Sequence, residues 1–254
     1  MVCAMSHSNC AGKFSLRFPR GWGVALVVFA AIPGMALGSP EAAERFSGEA
    51  QQAFEGGDYA KAAQLLTKAI AEDETDPELY ANRGSCYDLL GKTDDALRDF
   101  DLSWTKAIVK KHDPKDKSLA GIAFNRGAAL AHARRLKEAV ADLTKALEID
   151  PEFPEVRLDL GWILATASDA SLRDPAKALA FLKEEAAENG GGSARLADSL
   201  AAAEAANGHF DEAVKQENAA LELATTAQRR SYLQRRERYL HKKAYIDESG
   251  PALP

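Results

Sequence analysis

Residues 80–100 read YANRGSCYDLLGKTDDALRDF, and residues 124–143 read FNRGAALAHARRLKEAVADL. The tripeptide Asn-Arg-Gly stands at 82–84 and again at 125–127, an offset of 43 residues. In both copies an Ala follows the Gly by twelve residues, at Ala96 and Ala139. With Gly84 laid on Gly127, Tyr87 coincides with Leu130, Phe100 with Leu143 and Ser103 with Ala146. These spacings fall into two stripes of helical period, separated in the first copy by Gly91. Each copy is therefore a helix, a turn and a second helix.

The same frame extends in both directions. Upstream, Ala50 takes the Gly place, Gly57-Asp58-Tyr59 the turn, and Ala62, Leu66 and Ala69 the second helix. Downstream, Gly161 takes it, with Ala178 and Leu182 following an insertion near residues 169–173. A last copy has Ala201 at the small place, Gly208 and Phe210 at the turn, and Ala213 and Ala220 beyond. Five units result, at 43–76, 77–110, 120–153, 154–193 and 194–227. The third carries Arg134 at the turn where Gly is usual, and the fourth is stretched and ends in NGGGS. Small residues at the recurring places let neighbouring helices approach closely. No unit of this size buries its apolar face alone, so the units are expected to stack.

A stacked array needs a cap. The segment TTAQRRSYLQRRERYLHKKAYI (225–246) supplies one: Thr225 or Thr226 is a good N-cap, and residues 228–246 read as a capping helix. Tyr232, Leu233, Tyr239 and Leu240 recur at i, i+7 and are expected to pack as one stripe on the fifth unit. Residues 247–254, DESGPALP, read as a disordered tail.

A helix–turn–helix of about 34 residues with small residues at these places resembles the tetratricopeptide repeat (TPR) family. The resemblance covers nearly all of the chain beyond residue 42. It implies an all-α fold, a right-handed α–α superhelix (solenoid) with a C-terminal capping helix. It also implies that the first helices line a concave groove holding a protein or peptide segment. In the family, Asn two places before the small residue often hydrogen-bonds a peptide backbone, and here that place holds Asn82 and Asn125. A primary amide donates and accepts at once, so it suits an extended backbone of any sequence. The blander alternative is that these amides bond between units. The same face would include Ser85, Phe124 and Trp162. Phe124 and Trp162 are expected to form an aromatic patch near mid-array, either as partner anchors or as packing between units. The Lys residues with which some family members clamp a terminal carboxylate are absent from the matching places, which disfavours that ligand. The last portion, from ILATASDASLRDPAKALAFLKEEAAENG onward, looks like the ending of exported bacterial repeat proteins. Arg229, Arg230, Arg235 and Arg236 make the cap basic, either as a solvated outer face or as a dock for an acidic partner or anionic lipid.

The N-terminus differs from the rest. Lys13, Arg17 and Arg20 precede the apolar run WGVALVVFAAIPGMAL (22–37), which exits through Ala36-Leu37-Gly38. A basic start, a short apolar core and small residues are the parts of a signal peptide, with cleavage expected after Gly38. The run is 16 residues long, short of the ~20 that a spanning helix needs. The expectation is export to the periplasm or beyond the cell, the alternative an uncleaved N-terminal membrane anchor.

The whole chain has a net charge of −6. Residues 1–38 hold three basic and no acidic residues, so the remainder carries 29 Lys and Arg against 38 Asp and Glu, a net −9. Such a surface does not attract nucleic acid. Cys3 and Cys10 fall in the leader, leaving Cys86 without an intramolecular partner. His112, His132, His209 and His241 lie in no metal-ligand spacing, and no P-loop, dinucleotide fingerprint or nucleophile elbow occurs. The reading is a non-catalytic protein–protein interaction module, without cofactor or metal and monomeric. It would serve as an adaptor or assembly factor of the cell envelope, the alternative being a self-associating structural protein there.

Overall fold

The computed structural model describes residues 38–248, apart from residues 112, 114–115, 154 and 190–191. The leader reading therefore lies outside the described residues except for Gly38, as does the tail beyond Glu248. Eleven α-helices run through the described residues. They are α1 (Pro40–Glu55), α2 (Tyr59–Glu72), α3 (Pro77–Leu89), α4 (Thr93–Lys111), α5 (Ser118–His132) and α6 (Leu136–Ile149). There follow α7 (Val156–Thr166), α8 (Pro175–Asn189), α9 (Ala194–Ala206), α10 (Phe210–Leu223) and α11 (Thr226–Leu240). A short 3₁₀ turn, Ala170–Leu172, fills the insertion between α7 and α8. Each odd helix packs on the even helix that follows it, and α11 closes the stack against α10.

Helix starts follow from side-chain caps. Ser39, Asp58, Asp76, Asp174 and Ser193 each accept a hydrogen bond from a main-chain N–H of the first turn they precede. Pro40 and Pro77 then occupy first-turn positions where no intrahelical donor is needed.

The small places explain why the pairs fit. Ala62, Ala96, Ala139, Ala178 and Ala213, one per unit, have no exposed surface. Gly161 lies so close to α8 that an added Cβ would sit 2.6 Å from Leu182 Cγ. At Gly84 the same atom would meet the Phe100 ring at 2.9 Å, and at Gly127 it would meet Leu143 at 3.0 Å. These are the large residues that the repeat frame pairs with each Gly.

The turn within a unit is a left-handed helix stop. Gly57, Gly91 and Gly208 have φ of 79°, 71° and 84°, a region that disfavours a Cβ. The third unit makes the same turn with Arg134 at φ 62°. Arg135 N–H donates to Leu130 O at 2.9 Å and Arg134 N–H to Ala131 O at 3.0 Å, as Lys92 and Gly91 do in the second unit.

A recurrent ion pair locks each of the two Asn-Arg-Gly units. Arg83 reaches Asp99 through two hydrogen bonds of 2.7 and 2.8 Å, and Arg126 reaches Asp142 through two of 2.7 and 2.8 Å. Arg83 also donates to Thr67 of the preceding unit, and Arg126 to Asp101 at 2.5 Å. The Arg of the motif thus ties first helix to second helix and unit to unit.

Two expectations for the C-terminal region need correction. Tyr232 and Tyr239 are buried against α9 and α10, but Leu233 is 49% and Leu240 50% exposed. Successive helix positions differ by about 100°, so a face that buries the two tyrosines turns the two leucines outward. The chain is also ordered past its last helix. Lys243 N–H donates to Arg238 O and Lys242 N–H to Tyr239 O, with Lys242 at φ 52°, which reverses the chain. Residues 243–248 then run back without helix, with Glu248 N–H donating to Ile246 O at 3.1 Å. Asp247 N–H donates to Thr166 O at 2.8 Å, making a parallel bridge with Ala167. The tail reading for 247–248 gives way to a strap held on α7.

Candidate functional site

The first helices α3, α5 and α7 each turn one face away from their partner helix. Gly84 faces the Phe100 ring. Asn82, two residues earlier, lies about 160° around the helix from it. Asn125 bears the same relation to Gly127. Ser85 and Trp162, one residue after their glycines, lie about 100° around and share that outward face.

The sequence-derived site residues meet different fates. Asn82 and Asn125 are half-buried, and among the described residues neither amide has a hydrogen-bond partner. Ser85 Oγ donates to Ala81 O at 3.0 Å, so its hydroxyl is engaged within its own helix. Phe124 stacks on Phe153 of the α6–α7 loop, with ring centroids 5.4 Å apart. Trp162 stacks instead on Tyr245 of the strap at 5.9 Å. Each aromatic thus has a different aromatic partner, while both pack against the same buried cluster of mid-array residues.

Arg235 is not on the surface. It is buried, clasps Asp198 of α9 through hydrogen bonds of 2.6 and 2.9 Å, and lies over the rings of Trp162, Tyr232 and Tyr245. Residue type suggests solvent, but its position on the tyrosine face of α11 takes it inward. Arg229 and Arg230 are exposed, with Arg229 donating to Leu221 O at 2.9 Å, and Arg236 is half-buried. With Leu233 and Gln234 they line a shallow hollow on the outer face of the cap.

Beneath the strap, Glu217 of α10 has no exposed surface. Burial, aided by the neighbouring Asp198 carboxylate, pushes its carboxyl up to about 10 against the pull of Arg235. Burial raises the neighbouring Asp198 carboxyl as well, against the pull of Arg235, so the two carboxyls titrate together. Burial likewise raises the Tyr239 phenol well above its ordinary value. Cys86 is fully buried, and burial pushes its thiol up to about 12, far from the thiolate needed for reaction.

Sequence reasoning missed several polar links along the open face. His132 Nδ1 lies 2.9 Å from Asp88 Oδ2, and this bond holds the imidazole above its ordinary value. Asp159, which occupies the Asn place in the fourth unit, pairs with Arg195 of α9. It also missed the strap's anchor: Arg134 donates to Asp247 Oδ2 at 2.6 Å and to its main-chain O at 3.1 Å. The signal for that anchor was Arg at a turn position that elsewhere is Gly. Among the described residues no group of three or more His, Cys, Asp or Glu could hold a metal ion. No described helix is long and apolar enough to cross a membrane.

Comparison with known proteins agrees with this architecture. The tetratricopeptide repeat family matches residues 53–98 and, separately, residues 120–153. The heat shock protein STI1 of Saccharomyces cerevisiae is 38% identical over 110 residues, 42% of this chain and 17% of that protein. The small glutamine-rich tetratricopeptide repeat-containing protein 2 of Mycosarcoma maydis is 32% identical over 110 residues, 43% of this chain and 28% of that one. The chain thus spans well under a third of either curated relative. A thermophilic TPR protein of Thermus thermophilus superposes with a TM-score of 0.54 at 24% identity, over 79% of this chain and 100% of the other. YrrB, a TPR protein with an unusual peptide-binding site, gives 0.55 at 17% identity, over 78% of this chain and 93% of the other. At these identities the two structures show the fold. The chain carries tetratricopeptide repeats stacked as an all-α superhelix.

Proposed function

We propose that the chain is a non-catalytic protein–protein interaction module that binds an extended peptide or protein segment along the open face of α3, α5 and α7. The observation that carries this reading is the pair Asn82 and Asn125. They stand at one register on consecutive first helices, and both amides are unpaired among the described residues. An extended backbone repeats its donors and acceptors regularly, so amides repeated unit by unit suit it. Tetratricopeptide repeats are protein-interaction modules, which supports the same reading. If residues 1–38 are a leader, the module works in the cell envelope as an adaptor or assembly factor, or stays anchored there by that segment.

The test is a displayed-peptide selection against the full chain. Selected peptides should bind Asn82→Ala/Asn125→Ala at least tenfold more weakly, with the thermal midpoint unchanged. Equal affinity would remove the groove from the account. Self-association is a second reading, favoured by the exposure of Leu223, Leu233 and Leu240 at the capped end. Light scattering of the full chain, detergent-solubilised if anchored, would support it by a mass that rises with concentration.

A further inference from the structure

Residues 244–247 lie against α7 at the place where the open face would hold a ligand. Tyr245 and Asp247, two residues apart, both contact the array. Tyr245 packs against the Trp162 indole and the Arg235 guanidinium, at 5.9 and 5.3 Å. Asp247 is clamped by Arg134 through both its carboxylate and its main-chain carbonyl, while its N–H donates to Thr166 O. Main chain, aromatic ring and carboxylate are all recognised, which is how a groove reads an added strand.

The receiving side is built for this contact. Arg134 occupies the left-handed turn position that the first, second and fifth units give to Gly. A side chain is disfavoured in that left-handed conformation. Its guanidinium is the group that holds Asp247. The array holds the strap through the Arg134 and Thr166 bonds to Asp247, the Tyr245 ring contacts and a 3.2 Å bond from Arg238 to Ala244 O. A short segment outside the helices opens more readily than the array unfolds.

We propose that residues 244–247 are a displaceable occupant of a peptide site formed by Trp162, Arg235, Arg134 and Thr166. The site takes a segment carrying an aromatic residue two places before a carboxylate, and the chain's own strap keeps it closed until such a segment replaces it. This inference rests on the groove reading above and names the ligand class at its C-terminal half.

Two measurements on the full chain test it. The first is hydrogen exchange at the Asp247 amide. It should be protected in the wild type and exchange at least tenfold faster in Arg134→Gly, a change that restores the usual turn residue and leaves the helices intact. Unprotected exchange in the wild type, or no change in the variant, overturns the strap. The second uses a fluorescein-labelled KAYIDE peptide, the sequence of residues 243–248. Tyr245→Ala/Asp247→Asn opens the strap and leaves the receiving side intact. The probe should bind that variant at least tenfold more tightly than it binds the wild type, and adding Arg134→Gly should abolish the gain. Equal binding to both, or binding to neither, overturns the proposal. If the probe fails while selected peptides still bind in an Asn82- and Asn125-dependent way, the strap inference falls alone. If those peptides fail as well, the groove reading falls with it.

Discussion

Replacing Glu217 by Gln should make the protein's stability fall less steeply as pH rises across the neutral range. Glu217 is fully buried beside the Arg235–Asp198 pair, and burial raises its carboxyl from 4.5 to about 10. Between those values the folded chain keeps a proton that the unfolded chain releases. Stability from this group is therefore fully present below pH 4.5 and declines as pH rises toward 10. The slope is at most about 1.4 kcal/mol per pH unit, so from pH 6 to 8 the wild type should lose roughly 2–3 kcal/mol relative to the variant. Gln keeps the shape and the neutrality but has no proton to release. Urea unfolding of both proteins at pH 6, 7 and 8 reads the difference directly, and titrating groups away from the cluster cancel in the subtraction. Parallel pH profiles for the two proteins would mean that Glu217 is ionised in the fold, and would refute the account of the cluster.

Further outcomes follow from the packing. Gly161→Ala should destabilise the fold by about 1–3 kcal/mol despite Ala's better helix propensity, because its Cβ would lie 2.6 Å from Leu182. Gly48→Ala, with nothing within 4 Å, should instead stabilise by about 0.5–1 kcal/mol, and thermal melts rank the two. Asp99→Ala leaves Arg83 without its two-bond partner and should cost about 2–4 kcal/mol by denaturant titration. His132 is held above its ordinary value by Asp88. Its contribution is present below pH 6.5 and lost as pH rises through the folded value, so Asp88→Asn should flatten that part of the stability profile. Cys86 should resist a thiol reagent at pH 8 in native buffer and react on unfolding.

The fold was legible because a stacked repeat writes its packing rule once per unit. The alanines twelve residues after the small place, displaced only by the insertion in the fourth unit, are the residues found without exposed surface. Side-chain direction was harder to read. In the capping helix, Tyr232 with Tyr239 and Leu233 with Leu240 offer two stripes about 100° apart, and a single sequence does not say which one packs. Arg235 reads as surface by residue type, although it lies three residues after Tyr232 and so on the same face. The signal for its burial sat in another helix. The place sixteen residues after the small residue holds Leu66, Phe100 and Leu143 in the first three units, and Glu217 in the fifth. A carboxyl in that apolar place requires compensation, and the cap supplies it with Arg235. The ion pairs of Arg83 and Arg126 were also visible in principle, since Asp99 and Asp142 both lie fifteen residues after the Gly. The strap depends on contacts between residues 81 to 113 apart, and only Arg134 in place of Gly hinted at it.

The central claim is that the open face of the first helices holds a peptide. Side-chain amide resonances of Asn82 and Asn125 in a ¹⁵N spectrum, recorded while a selected peptide is added, test it most directly. The account predicts that both pairs of NH₂ signals move as the peptide saturates the protein, and that the Arg229 and Arg230 side-chain signals on the cap stay in place. Saturation with both amides unmoved and the cap arginines shifted would put the binding surface at the capped end and contradict the account.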